Sequence, residues 1–448
     1  MSTPRGVLRG SSAWWWRSAI FAVAPLVAQM VCFPGATAQV APLVRPTDRA
    51  GREDVPFLAR VTASIASSAR VAALEDPNVV FIEQEKACAR SDGPGTKTFL
   101  VVDGQKTLPA YATAATVFLN GWELRYLSKD HKVAQISTRI SNIRKEGNTL
   151  KWMASGVIRD KNFDDAYEWC YHYAVVAWNQ AVIDAIAQDD VPTLSLAYSA
   201  QKANEETALV TAAGFKGDLG FIGKGFVTAL PEGFWFDWGG DSFQQAFPHL
   251  GDPNQEDHNV LQVGYSMGPS TALIEFEKTY DTPFAQPALP SNASRIDDGF
   301  VSWESHAVFK DNAAKRKFMF MEKFSALAGN NIGVIHRPFT VRPVEDVGAF
   351  TGCITSKGRI TTTDHTIENI PFQYAWPVLT GWDLSFVCDD EHVTEMGVWV
   401  HDISYAGGVL RYKVSSILRD KDSEPEFGTR YGISVLGLNR IGVAPRAR

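Results

Sequence analysis

Residues 121–179 read GWELRYLSKDHKVAQISTRISNIRKEGNTLKWMASGVIRDKNFDDAYEWCYHYAVVAWN, and residues 381–439 read GWDLSFVCDDEHVTEMGVWVHDISYAGGVLRYKVSSILRDKDSEPEFGTRYGISVLGLN. At an offset of 260 the two align without a gap and share 15 identities over 59 positions. Gly121-Trp122 falls on Gly381-Trp382, Ser155 on Ser415, Arg159-Asp160-Lys161 on Arg419-Asp420-Lys421, and Asn179 on Asn439. Self-similarity on this scale reads as a duplicated domain rather than a solenoid unit. A third segment lies between them at an offset of 151 from the first, placing Trp152 on Trp303, Arg159-Asp160 on Lys310-Asp311, Tyr167 on Phe318 and Asn179 on Asn330. There Gly233-Phe234-Trp235-Phe236 takes the place of Gly-Trp, with Trp235 read as the counterpart of Trp122 and Trp382. Insertions at 238–254 and 267–298, rich in Pro, Gly, Asp and Asn, make this middle segment the divergent one.

The residue types predict strands. Runs at 116–126, 132–143, 149–158 and 166–177 are rich in Val, Ile, Thr and aromatics, with turn residues such as Lys145-Glu146-Gly147-Asn148 between them. In the last run Tyr167, Trp169, Tyr171 and Tyr173 alternate with Glu168, Cys170 and His172, so the two sets face opposite sides of a strand. Residues 57–74 are Ala-rich with apolar spacing suited to a helix, which Asp76-Pro77 would end. The expected architecture is all-β: three tandem β-sandwich-like repeats behind a short N-terminal helical segment. The divisions are 1–38, a signal peptide; 39–78, a linker and helix; 79–180, the first repeat; 181–332, the divergent second; and 333–448, the third.

The leader rests on Arg5, Arg9 and Arg17, an apolar stretch at 18–33, and Ala36-Thr37-Ala38 as the cleavage site. Its removal moves the formal charge from −7 to −10. An acidic chain without a basic run argues against nucleic acid and anionic membrane surfaces. Nothing after the leader is apolar for long enough to span a bilayer as a helix. The expected location is therefore secreted or periplasmic. Cys88, Cys170, Cys353 and Cys388 remain, and in an oxidising compartment they can pair. Repeat spacing predicts Cys88–Cys170 and Cys353–Cys388.

Three constellations can carry chemistry. After the Arg-Asp pair, Asp160, Asn162 and Asp164 in the first repeat, and Asp420, Asp422 and Glu424 in the third, offer oxygens at alternate positions, as a Ca²⁺ site needs. The plainer reading is that Asp160 and Asp420 start tight turns by bonding the backbone. Asp130-His131, Asp257-His258 and Glu391-His392 set a histidine beside an acid, which suits a general base or a metal ligand. Neighbours on a strand point to opposite faces, which weighs against that use. Asp257 and His258 border the insertions and are the catalytic candidates. The Trp residues that recur belong to cores. Trp238, Trp376 and Trp399 do not recur, and they are the candidates for stacking on a sugar ring.

No G-x-S-x-G elbow, P-loop, H-E-x-x-H or dinucleotide fingerprint occurs in the chain. Secretion, repetition and aromatic richness point to an exported binding protein for a carbohydrate or cell-surface ligand. The alternatives are a secreted hydrolase or lyase with its site in the inserted loops, and a structural envelope protein.

Overall fold

The four runs of the first segment are strands β4 (Ala114–Tyr126), β5 (Gln135–Glu146), β6 (Thr149–Arg159) and β7 (Tyr167–Trp178). They follow β1 (Ser67–Asp76), β2 (Val80–Arg90) and β3 (Leu100–Thr107). The computed structural model describes residues 67–91, 99–128, 131–162, 165–195, 207–211, 215–217, 226–239, 257, 259–267, 299–301, 304–310, 317–329, 331–336, 340–343, 360–386, 391–420 and 427–442. All of them lie in one compact unit, and none is helical. The expected helix at 57–74 is corrected from Ser67 onward, because that part is β1, paired along its length with β2. Alanine favours helix only weakly, and ladder bonding to a neighbouring strand overrides it. Residues 1–66, with the expected leader and linker, and Cys353 and Cys388 lie outside the described residues. Among the described residues no helix is long and apolar enough to cross a membrane.

The middle segment supplies β8 (Ile186–Ser195), β9 (Thr207–Thr211), β10 (Phe215–Gly217), β11 (Phe226–Gly239), β12 (Gln262–Met267), β13 (Gly299–Val301), β14 (Glu304–Lys310) and β15 (Lys317–Gly329). The last segment supplies β16 (Ile332–His336), β17 (Thr340–Pro343), β18 (Thr361–Ile367), β19 (Tyr374–Phe386), β20 (Glu395–Ala406), β21 (Val409–Arg419) and β22 (Phe427–Leu438). Three large sheets result. Their orders are β1-β2-β7-β4-β20-β21-β18, β3-β6-β5-β11-β15-β8 and β16-β22-β19-β12-β14-β9, with β17 also on β22 and β10 paired to β13.

Each large sheet joins two segments. The pair β4 and β7 meets β20 and β21, β11 and β15 meet β5 and β6, and β19 and β22 meet β12 and β14. The first segment thus joins the second, the second joins the third, and the third returns to the first. Shared sheets take the place of a row of separate sandwiches, and they pair strands that would otherwise be open edges at the seams.

The Gly-Trp pattern marks these seams. Register shifts fall between Leu119 and Gly121, Pro231 and Gly233, and Leu379 and Gly381, leaving Asn120, Glu232 and Thr380 as the extra residues. Such bulges bend a strand and re-aim its side chains. A Cβ on Gly121 would meet the Trp399 Cα at 2.5 Å, and one on Gly233 would meet the Arg139 Cα at 2.5 Å. Both strands would have to part to admit it. Asn120 is buried and ties the seam. Its Nδ2 donates to Gln84 Oε1 (2.6 Å) and the Pro377 carbonyl (3.1 Å), and its Oδ1 accepts from the Leu379 N–H (2.9 Å).

Past the bulges, one aromatic from each segment enters the centre. Ring centroids lie 5.1 Å apart for Trp122 and Phe234, 4.6 Å for Trp122 and Trp382, and 4.9 Å for Phe234 and Trp382. Phe234, not Trp235, is the counterpart of the two tryptophans, because it directly follows the bulge glycine. Trp235 is partly buried and packs on Phe99 at 5.1 Å. Cys88 and Cys170 face each other in the β2–β7 ladder and are joined as a disulfide.

Candidate functional site

Of the residues singled out for metal and for catalysis, Asp160, Asn162 and Asp257 come together at the turn after β6. The turn after β6 carries Asp160, whose Oδ1 accepts the Asn162 N–H at 3.0 Å. This is the turn-starting role that Asp favours. Asp160 also belongs to a cluster with His131 and Asp165, in which one ligand atom from each lies within 4.8 Å of the others. His131 Nδ1 is 2.9 Å from Asp165 Oδ2. Asp257, from the middle segment, accepts the Lys161 N–H at 3.3 Å and so borders the same turn. The Tyr126 ring packs on His131 at 4.7 Å. Burial, then Asp160, Asp165 and Asp257, push the Tyr126 hydroxyl well above its ordinary range, so it stays protonated.

Asn162 is exposed, and Asp164, Asp422, Glu424 and His258 lie outside the described residues. Asp420 is buried. The cluster instead draws on His131 and Asp165, and an imidazole with two carboxylates suits Zn²⁺ or Mn²⁺ better than an all-oxygen Ca²⁺ cage. Asp165 was not legible as a ligand, because it follows the turn and only the approach of the two ends of the β6–β7 connection brings it back to His131.

The tryptophan candidates divide. Trp376 is 1 % exposed, so it belongs to the core and offers no open face to a sugar. The inward direction of that strand decides this, and non-recurrence was no guide to exposure. The Trp238 side chain lies outside the described ones. Trp399 is partly exposed on the first large sheet and stacks on His172 across Gly121, with centroids 5.7 Å apart. His172 Nε2 donates to Glu123 Oε1 at 2.7 Å, and Lys86 also bonds Glu123.

Burial raises the Glu123 carboxyl, but His172 and Lys86 outweigh it and bring it to about 2. Burial holds the His172 imidazole below its ordinary value, and its buried Nδ1 has no hydrogen-bond partner to receive a second proton's bond. Both folded-state values therefore lie below the unfolded ones. The unfolded chain binds more protons, so this cluster's stabilisation is complete above about pH 6.5 and declines as pH falls through the His range and then from about 4.5 towards 2. Urea unfolding at pH 7 and pH 3 checks this, and Glu123→Gln should flatten the acid limb. An unchanged limb would assign the acid loss to other groups.

A cleft that the sequence did not reveal opens between β2 and β7 on one side and β3, β5 and β6 on the other. Its volume is about 640 Å³. Trp152, Tyr171 and Tyr173 form the aromatic wall, and Glu85, Asp103, Gln105, Asn142, Arg144 and Lys151 supply the polar groups. Tyr171 stacks on Tyr173 at 5.0 Å, and Trp152 lies 5.0 Å from Tyr173. The absence of a side chain at Gly104 lets the Trp152 indole lie over β3, since a Cβ there would stand 2.1 Å from the ring.

Glu85 accepts from the Tyr173 hydroxyl and from Lys106 Nζ at 2.7 Å. Burial raises its carboxyl, and Lys106, Tyr173 and Arg70 more than offset that, so it stays below the usual carboxylate range. Lys106 also reaches Glu83 at 2.9 Å. The cleft therefore presents ionised donors and acceptors above a floor of buried rings. The alternation of Tyr171 and Tyr173 was visible in the sequence, but β3 and β6, which face them, were not placeable. Comparison with protein-family models, with curated proteins and with solved structures finds no match.

Proposed function

We propose that this protein is an exported binding protein whose ligand is a carbohydrate or a similar hydroxylated ring compound held in the cleft between β2/β7 and β3/β6. The observation that carries the reading is the pairing of Trp152, Tyr171 and Tyr173 with Glu85, Gln105, Arg144 and Lys151 around one cavity. The three rings are at most 5 % exposed and form the floor of the cavity, while the polar groups at its rim are what would select a sugar's hydroxyls. The Cys88–Cys170 disulfide supports export, because such bonds persist in oxidising compartments. The three segments are further proposed to be copies of one duplicated unit, on the strength of the aligned sequences and the common sheet plan.

A second reading is favoured by the cluster of His131, Asp160 and Asp165, which would hold a divalent cation. One experiment addresses both. The purified protein is screened on a broad glycan array with Ca²⁺, with Mn²⁺ and with EDTA, and hits are quantified by calorimetry. Selective binding is expected, and Arg144→Ala with Lys151→Ala should weaken it tenfold or more, about 1.4 kcal/mol. Those two changes are at the surface and should leave stability within about 0.5 kcal/mol. Loss of binding in EDTA and in His131→Ala would place the cation in ligand recognition. No selective binding under any of the three conditions would sink the cleft reading.

A further inference from the structure

Near the β18 edge of the first large sheet, the interior strands β20 and β21 carry a second constellation. His401 Nε2 lies 2.8 Å from Ser415 Oγ. His401 Nδ1 lies 3.5 Å from Asp402 Oδ2, and Lys413 Nζ holds the same oxygen at 3.0 Å. A hydroxyl on one imidazole nitrogen and a carboxylate on the other is the arrangement by which a serine is activated. We propose that Ser415, His401 and Asp402 are nucleophile, general base and orienting acid of an acyl-transfer site that cleaves small carboxylic esters.

The backbone explains how neighbours on one strand come to work together. Adjacent residues on a regular strand face opposite sides. Here the β20–β21 register shifts between His401 and Ser404, and Asp402 has φ of 50°. That left-handed conformation is uncommon outside glycine, and the bulge turns the Asp402 carboxylate back to His401. The matched place in the first segment has the same bulge, between Ser141 and Arg144, with Asn142 at φ 54°. Its residues are Ser141, Asn142 and Ser155, and Ser141 Oγ donates to the Met153 carbonyl at 3.4 Å. The bulge is therefore a property of the fold. The base and the acid are what the last segment adds to it.

The surroundings suit the chemistry. Lys413, with His401, outweighs the opposing effect of burial and keeps Asp402 below the usual carboxylate range, so it is ionised and able to orient an imidazolium. Ser415 is 1 % exposed, and its Oγ also meets Thr362 Oγ1 at 2.7 Å on the sheet's edge strand β18. Thr362 is exposed, so displacing its hydroxyl opens the approach to Oγ. Trp399 faces Ser415 in the ladder and gives the acyl chain an apolar wall, which favours short apolar acyl groups.

In the reaction, Ser415 Oγ bonds to the ester carbonyl carbon as its proton passes to His401 Nε2, and the carbonyl π pair moves to oxygen. Collapse of this intermediate breaks the C–O bond to the alcohol, which takes the proton from Nε2. Water, with His401 again as base, then bonds to the acyl carbon and releases the acid and Ser415.

The test incubates the full chain with an alkyl fluorophosphonate, maps the adduct by peptide mass, and follows hydrolysis of p-nitrophenyl butyrate. One adduct on the peptide bearing Ser415 is expected. Turnover should vanish in Ser415→Ala, fall at least 100-fold in His401→Gln and at least tenfold in Asp402→Asn, and persist in Ser155→Ala. Thr362→Ala should retain labelling. No adduct, an adduct on another serine, or turnover that survives Ser415→Ala overturns the proposal. The peptide assignment on the unaltered chain decides it even where a variant does not fold. Glycan binding is a separate readout, so failure of the cleft reading leaves this result standing.

Discussion

Trp122→Ala is expected to destabilise the fold by about 3–5 kcal/mol, the range for removing a large buried aromatic. Trp122 is fully buried, and its ring meets both Phe234 and Trp382. The void would lie where the three segments converge, and the shared sheets leave each segment little freedom to close it. Stacked and edge-on aromatic pairs add about 0.5–1.5 kcal/mol each beyond burial, so both contacts contribute to the loss. Trp235→Ala should cost clearly less, because Trp235 is only partly buried and its ring partner is Phe99. Urea denaturation followed by fluorescence and far-ultraviolet dichroism measures both. A loss below about 1 kcal/mol for Trp122→Ala would contradict a central aromatic triangle, on the scale of buried-aromatic deletions. A single transition is also expected, since no large sheet belongs to one segment. Separate transitions for separate segments would contradict the shared-sheet plan.

Replacing Cys88 and Cys170 together with alanine is expected to cost about 4 kcal/mol, from the entropy regained by a long unfolded loop. The bridge spans 82 residues and joins paired positions of β2 and β7. Without it, the hydrogen-bonded ladder from Val80–Trp178 to Arg90–Glu168 must hold the hairpin-distant strands by itself. The native structure should therefore survive with a lower denaturation midpoint and a steeper slope, because the unfolded chain without the bridge exposes more surface. Reduction of the unaltered protein with dithiothreitol under native conditions should reproduce the shift. A midpoint that moves by less than about 1 kcal/mol would mean the unfolded chain is already compact there.

Particular residues show where reading the chain succeeded. The alternation of Tyr167, Trp169, Tyr171 and Tyr173 against Glu168, Cys170 and His172 is the alternation of β7, because side-chain direction along a strand follows a period of two. The pairing of Cys88 with Cys170 followed from spacing alone. Residues 67–74 misled, because alanine spacing carries no information about the strand that pairs beside it. Adjacent acid and histidine were discounted on strand geometry, which holds for a regular strand and fails at the Asp402 bulge. Trp376 and Trp399 were alike in sequence, yet one is in the core and the other sits on His172.

The sequence by itself determined that the chain is built of strands, where many of them begin and end, and which of their faces carry aromatic side chains. These are local properties, set by residue type and a two-residue period. Tertiary structure alone decided which strands share a sheet, because the same alternating pattern is satisfied by pairing within a segment or between segments. Trp399 is 278 residues from Gly121 in the chain and its direct neighbour in the ladder. The central triangle arises from such pairings between segments, whereas the cleft and the His131 cluster draw their residues from distant strands and turns of the first segment. Each is a product of how the sheets close on one another, where surface burial and seam bulges, rather than propensity, choose the partner.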